Sequence, residues 1–217
     1  MYREILKPII RSPEFPQLLK ELHEYWENEQ IRRKEFYDWI TPDLKAEFID
    51  GEVVIHSPVR SRHNVVLKFI LRLLDIYVEK RKLGYVGVEK IMCRFPRNDY
   101  EPDLCFFDKT IATNFTDEQT IFPIPQMIVE ILSASTESRD RGVKFNDYQA
   151  NGVQEYWIVD ANTNVLEQYT LLEGQYELKG KYNHPKQIVT SKIIAGFEVS
   201  LGALFDAELN LKEITKM

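Results

Sequence analysis

The sequence predicts one α/β domain, a mixed β-sheet flanked by helices, with an N-terminal helical extension and a β-rich C-terminal part. Apolar spacing switches from a helical repeat to period two at Ala46, and a long helical repeat follows over residues 65–84. Short apolar strands separated by turn residues occupy most of the rest. A length of 217 residues suits one domain with an appendage, placed here at 1–44 (extension) and 45–217 (domain). The composition, 44% hydrophobic and 29% charged, excludes disordered, collagen-like and coiled-coil classes.

Ser12, Pro13 and Pro16 precede apolar residues at Leu18, Leu19, Leu22, Tyr25, Trp26, Ile31 and Phe36, a spacing that predicts one or two amphipathic helices. AEFI and EVVIH flank Asp50-Gly51, which predicts a hairpin closed by Ser57-Pro58. Val65, Val66, Phe69, Ile70, Leu73, Leu74, Tyr77 and Val78 predict the long helix. YVGVEKIMCRF and YEPDLCFFD, joined by residues 96–99, predict a second hairpin, and 108–125 a loop or short helix. QMIVEIL reads as a central strand and EYWIVD as the next. Between them, residues 137–150 read as a helix stopped by Asn151-Gly152. Short alternating strands follow, and the pattern leaves the final segment open.

Two cysteines, Cys93 and Cys105, are too few for a disulfide framework and carry no metal spacing, so buried free thiols are expected. The start MYREILKPIIRSPEF has no apolar core of signal-peptide length, and no apolar run approaches a membrane span, so the expectation is a cytoplasmic protein without a membrane partner. The formal net charge of −6 argues against nucleic-acid binding by bulk charge. It averages an uneven chain, because residues 59–97 carry +7 and the remainder −13. Arg60, Arg62, Lys68 and Arg72 begin that basic band, which serves either to hold a phosphate backbone or as the solvated face of an amphipathic helix.

Three carboxylates interrupt apolar strands: Glu47 in AEFI, Asp103 at the head of LCFF and Glu130 in QMIVEIL. An unpaired charge there costs several kcal/mol, so each needs a cation. Convergent carboxylates suit Mg²⁺ or Mn²⁺, which activates water and neutralises a scissile phosphate. Buried salt bridges to Arg62 or Arg94 are the alternative. Lys144 stands four residues after Asp140, placed either to orient a metal-bound water or to form an ordinary i,i+4 pair on a solvated face. His63, in the first turn of the long helix, suits a ligand, a phosphate contact, a proton carrier or a structural role, whereas His56 reads as structural.

The ordered set Glu47-Phe-Ile-Asp-Gly-Glu52, Ser57-Pro58, His63, Glu101-Pro102-Asp103-Leu104, Val129-Glu130-Ile131-Leu132-Ser133, Asp140, Lys144, Tyr148 and Gly152 to Asp160 resembles the Uma-two family. That group has the PD-(D/E)XK restriction-endonuclease-like fold, and the resemblance covers about residues 45–205. It implies Asp103 and Glu130 as the paired acids, the Ile131 carbonyl and Glu47 as further metal ligands, and His63 as an accessory residue. Leu132 stands where the usual lysine of the motif would be, and the resemblance moves that lysine to Lys144. Tyr148, Tyr156 and Trp157 match the family and are expected to pack the second helix on the sheet. The implied activity is Mg²⁺-dependent DNA phosphodiester hydrolysis, with a homodimer expected by analogy and the N-terminal helices as its arm. Two alternatives stand beside it: a non-catalytic module that binds nucleic acid or protein, and a hydrolase of a smaller phosphoester in a closed pocket.

Overall fold

The computed structural model describes residues 2–41 and 43–217; Met1 and Pro42, both in the expected extension, lie outside the described residues. Two helices open the chain, α1 (Tyr2–Ile10) and α2 (Phe15–Trp39). Pro16 lies in the first turn of α2, where its missing N–H would have had no helical partner anyway. β1 (Ala46–Ile49) and β2 (Glu52–Ile55) form the expected hairpin, and Asp50 and Gly51 both take positive φ, 50° and 84°, as its two-residue turn requires. α3 (Ser61–Arg81) buries Ile70, Leu73, Leu74 and Val78 along one stripe.

β3 (Gly84–Val88), β4 (Met92–Arg94), β5 (Asp99–Tyr100) and β6 (Leu104–Asp108) follow. The single hairpin expected from these runs is instead split between two sheets, β3 pairing with β6 and β4 with β5. Glu89, at φ 53°, breaks the ladder and lets the chain pass from one sheet to the other. The Asp108 side chain then caps α4 (Lys109–Ala112), and β7 (Ile121–Phe122) runs parallel to β4. β8 (Met127–Ile131) leads into α5 (Glu137–Asp140) and α6 (Val143–Ala150), where one helix was expected. A Cβ on Gly142 would lie 2.6 Å from the Ser138 carbonyl oxygen, so the turn that breaks the helix requires glycine.

β9 (Glu155–Asp160), β10 (Val165–Leu172), β11 (Gln175–Tyr182), β12 (Ile188–Thr190) and β13 (Glu198–Ser200) form the β-rich end. The open final segment is α7 (Ala207–Lys216), capped by Asp206, whose Oδ1 accepts from Leu209 N at 2.9 Å. Two main sheets result, β11-β10-β9-β8-β6-β3 and β2-β1-β5-β4-β7, with β12-β13 apart. β8 pairs antiparallel with β6 and parallel with β9, so the larger sheet is mixed and β8 is central. Period two divides the core: Leu104, Val129, Ile131 and Trp157 face α3, while Phe107, Ile128, Tyr156 and Ile158 face the smaller sheet and α6. Cys93 and Cys105 are buried free thiols on that second side. No helix among the described residues is long and apolar enough to cross a membrane.

The extension is not a loose appendage. Arg33 of α2 holds buried Asp99 through Nε (2.7 Å) and Nη2 (2.8 Å), and donates to the carbonyls of Phe95, Pro96 and Asn98. Tyr37 donates to the same carboxylate, and Arg97 grips buried Glu29 at 2.8 Å through two nitrogens. Bidentate pairs of this kind fix orientation as well as charge. Arg33→Met leaves Asp99 buried with Tyr37 as its one remaining side-chain partner among the described residues, and is expected to cost about 3 kcal/mol in denaturant unfolding. A loss below about 1 kcal/mol would contradict this account of the docking.

Candidate active site

The two acids of the sequence pattern meet because of strand register. The β6–β8 ladder pairs Leu104 with Val129 and Cys105 with Ile128, so Asp103 and Glu130 are the next opposed positions on the face toward α6. A one-residue slip would send one carboxylate to the α3 side. Glu130 Oε2 lies 3.4 Å from Asp103 N, and Asp103 Oδ2 accepts from Ile131 N at 2.8 Å. Glu47 arrives from the other sheet. Its neighbours Ala46 and Phe48 pack with Phe36, so alternation turns Glu47 toward α6, where Oε1 accepts from Glu101 N at 3.0 Å.

Lys144 comes from the first turn of α6 and is 2% exposed. Its Nζ stands 2.8 Å from Glu47 Oε1, 2.9 Å from Glu130 Oε1 and 3.5 Å from Asp140 Oδ1. The i,i+4 contact with Asp140 therefore exists, on a buried face and not a solvated one. One turn on, Tyr148 donates to Glu130 Oε1 at 2.9 Å. Asp103 has a different set of partners: Lys45 Nζ at 3.4 Å from Oδ1 and His63 Nε2 at 3.1 Å from Oδ2. His56 Nε2 is 3.0 Å from Glu47 Oε2, close enough for an ion pair but without hydrogen-bond alignment.

Burial and charge divide the acids. Burial opposes ionisation of Glu47, but Lys144 and His56 outweigh it and hold the carboxyl down to about 2. Burial likewise acts against Asp103, and the His63 hydrogen bond with Lys45 holds it at about 2. Glu130 is pushed up to about 8 chiefly by burial, against the pull of Lys144 and with the charges of Asp140, Asp103 and Glu47 adding to the rise. Burial lowers Lys144, but the charges of Glu130, Glu47 and Asp140 outweigh it, with a net rise. Burial lifts Glu101, beside Glu47, to about 7.

Asp103, Glu130, Asp140 and Lys144, with Lys45, His56, His63 and Glu101, line a cleft of about 340 Å³; Glu47 is fully buried and outside that lining. Arg60 and Arg62 also line the cleft, and Arg62 Nη2 reaches Asn164 Oδ1 at 3.3 Å. Lys68 and Arg72 are exposed farther along α3, outside the cleft lining. The arginine partners considered for the carboxylates are not used: Arg94 Nε donates to Tyr37 at 3.0 Å, and lysines and histidine take the role. Tyr148 and Tyr156 pack together under α6 as expected, Tyr156 donating to the Asp140 carbonyl at 3.0 Å, whereas Trp157, which donates to Glu155 at 2.6 Å, faces α3 and not the second helix, because successive strand residues point to opposite faces. Lys45 escaped the sequence reading, although it stands two residues before Glu47, on the same face by period two.

The donor set is hard: carboxylate oxygens of Asp103, Glu130 and Glu47, with Glu47 Oε2 and Asp140 Oδ1 buried and lacking a hydrogen-bond partner. Among the described residues no group of three or more His, Cys, Asp or Glu side chains forms a ready metal cage. Mg²⁺ does not need one, since one or two carboxylates with water suffice, and the residues fit such an ion.

A family model, Uma2, described as "Putative restriction endonuclease", matches residues 33–202, beginning at the arginine that docks α2. An "Uncharacterized protein" of Synechocystis sp. is 27% identical over 128 residues, 58% of this chain and 71% of the relative. A crystal structure from Anabaena variabilis, described as "a putative nuclease belonging to DUF820", superposes with a TM-score of 0.68 at 18% identity, covering 79% of this chain and 96% of that one. At that identity the likeness shows the fold, a nuclease-like mixed α/β architecture.

The lysine carries the charge balance of this seam. Lys144→Met strands Glu47, Glu130 and Asp140 without their shared cation, and is expected to lower unfolding free energy by about 3–5 kcal/mol. Tyr148→Phe, which removes one hydrogen bond to Glu130, should cost about 1–2 kcal/mol in the same denaturant experiment. Equal stability of Lys144→Met and wild type would contradict this account.

Proposed function

The chain belongs to the Uma2 family, and from that membership we propose that it is a Mg²⁺- or Mn²⁺-dependent endonuclease that hydrolyses DNA phosphodiester bonds. One observation carries the reading: Asp103 and Glu130 stand side by side on the cleft floor with the Lys144 ammonium 2.9 Å from Glu130. Asp103, Glu130, the Ile131 carbonyl and Glu47 would hold the ion. When bound, it lowers the pKa of water and offsets charge on the scissile phosphate.

The remaining work falls to side chains. Lys144 orients the attacking water and stabilises charge that develops on phosphate oxygens. His63 restrains Asp103 through its 3.1 Å contact, which keeps one carboxylate oxygen aimed into the cleft. Arg60 and Arg62 at the rim receive the phosphate backbone, and exposed Lys68 and Arg72 extend that track along α3. Cutting both strands calls for two sites, and a homodimer in the cytoplasm fits that need. Exposed Leu19, Leu22 and Trp26 on α2 support an arm for it, which predicts a light-scattering mass about twice the 25.6 kDa of one chain.

One observation favours a second reading, a non-catalytic nuclease-fold module that binds nucleic acid or protein. Lys144, Lys45 and His63 already hold every acid that would bind the ion, as a purely structural network would.

Cleavage of supercoiled plasmid with Mg²⁺, Mn²⁺ or EDTA separates the two. The enzyme reading predicts cleavage with metal, none with EDTA, and a loss of at least about 100-fold in Asp103→Asn and Glu130→Gln, with DNA binding by gel shift retained. Arg60→Ala/Arg62→Ala should weaken DNA binding and flatten its salt dependence. Binding without cleavage of any DNA, with either metal, supports the module.

A further inference from the structure

A second cavity, about 860 Å³, is larger than the carboxylate cleft. It opens beside β3, β4, β7 and α4, and adjoins the cleft at Glu101, which lines both. Its size suits a small molecule, since such sites run to about 300–1,000 Å³. An aromatic wall frames it: the Tyr85 ring is parallel to Phe122 with centroids 6.5 Å apart, and Phe115 stands edge-on to Tyr85 at 5.7 Å. Tyr85 is 40% exposed, although buried neighbours of its type fill the rest of this core. Ile91 and Met92 continue the apolar surface.

Three exposed cations, Lys82, Lys90 and Lys109, belong to the same lining, against two acids, Glu101 and Asp117. Lys82 follows the last turn of α3 and Lys109 starts α4, and neither ammonium has an ion-pair partner among the described residues. An apolar, ring-lined cavity with unpaired ammonium groups at its lining is complementary to an apolar body that carries a negative charge. A neutral apolar ligand would leave the lysines unused, and a bare phosphate would leave the rings unused.

We propose that this cavity binds a small organic anion, whose aromatic or aliphatic body packs on Tyr85, Phe115 and Phe122 and whose carboxylate, sulfonate or phosphate pairs with Lys82 and Lys109. The site is separate from phosphodiester hydrolysis and needs no metal, so it stands or falls independently of the proposed nuclease activity.

The full chain, in EDTA, is titrated with 8-anilinonaphthalene-1-sulfonate and followed by fluorescence. Saturable binding is expected at one dye per chain. Lys82→Glu/Lys109→Glu, at exposed positions that the fold tolerates, should weaken sulfonate binding at least about tenfold and leave the neutral dye N-phenyl-1-naphthylamine unchanged. Ala112→Trp, on the cavity wall, should block both dyes, and Thr116→Trp serves if that variant fails to fold. Displacement by decanoate or by adenosine monophosphate supports the site and tells a fatty acid from a nucleotide as its source. The proposal is overturned if the charge reversal leaves sulfonate affinity within about twofold, if neither anion displaces the dye, or if a folded wall variant binds it as wild type does.

Discussion

A buried ammonium, Lys144 Nζ, stands within 3.5 Å of carboxylates from β1, β8 and α5, and the seam between the two sheets is built around it. Each of those acids would cost several kcal/mol alone in such a place. Shared between three of them, one positive charge does not neutralise the group, and burial with mutual repulsion pushes Glu130 up to about 8. The arrangement ties both sheets and α6 to a single point. It also leaves Glu130 holding a proton near neutral pH, one that a bound divalent cation would displace.

What surrounds the charges sets their strength. Tyr100, Tyr148, Phe95 and Tyr156 close over the cluster with ring centroids 5.2–5.4 Å apart, and Lys144 Nζ lies 5.7 Å from the Tyr100 centroid. That aromatic packing lowers the local dielectric, so each contact is worth more than it would be in water. The break at Gly142 has a matching role. By ending α5 and restarting α6, the turn sets Lys144 and Tyr148 on the face of α6 that meets Glu130.

Local periodicity made much of the fold legible. The Asp50-Gly51 hairpin, α3, central β8 and β9 all follow from patterns within a dozen or so residues, and the acids stood out because a charge in an apolar strand demands a partner. The rest depended on long-range facts. Whether Asp103 opposes Glu130 is a matter of register between strands 27 residues apart, and no local repeat encodes it. The division into two sheets turns on Glu89 at positive φ, a conformation its residue type does not advertise. Lys45 gains its role only from burial beside Asp103, and the salt-bridge partners considered for the acids as the alternative to a metal were arginines, where lysines and a histidine fill the place.

The net charge of −6 averages over this geometry in the same way. Part of the acidic excess is drawn inside the cleft, while Arg60 and Arg62 stand at its lining, so the average says little about what approaches the site. The central claim is that the buried acids form a cation site and not a closed structural network. Calorimetric titration of Mn²⁺ into the wild-type chain, without DNA, tests it most directly. The account predicts one binding event per chain that disappears in Asp103→Asn while the fold, followed by circular dichroism, is retained. Absence of any Mn²⁺ binding up to millimolar concentration, or binding unchanged in that variant, would contradict it.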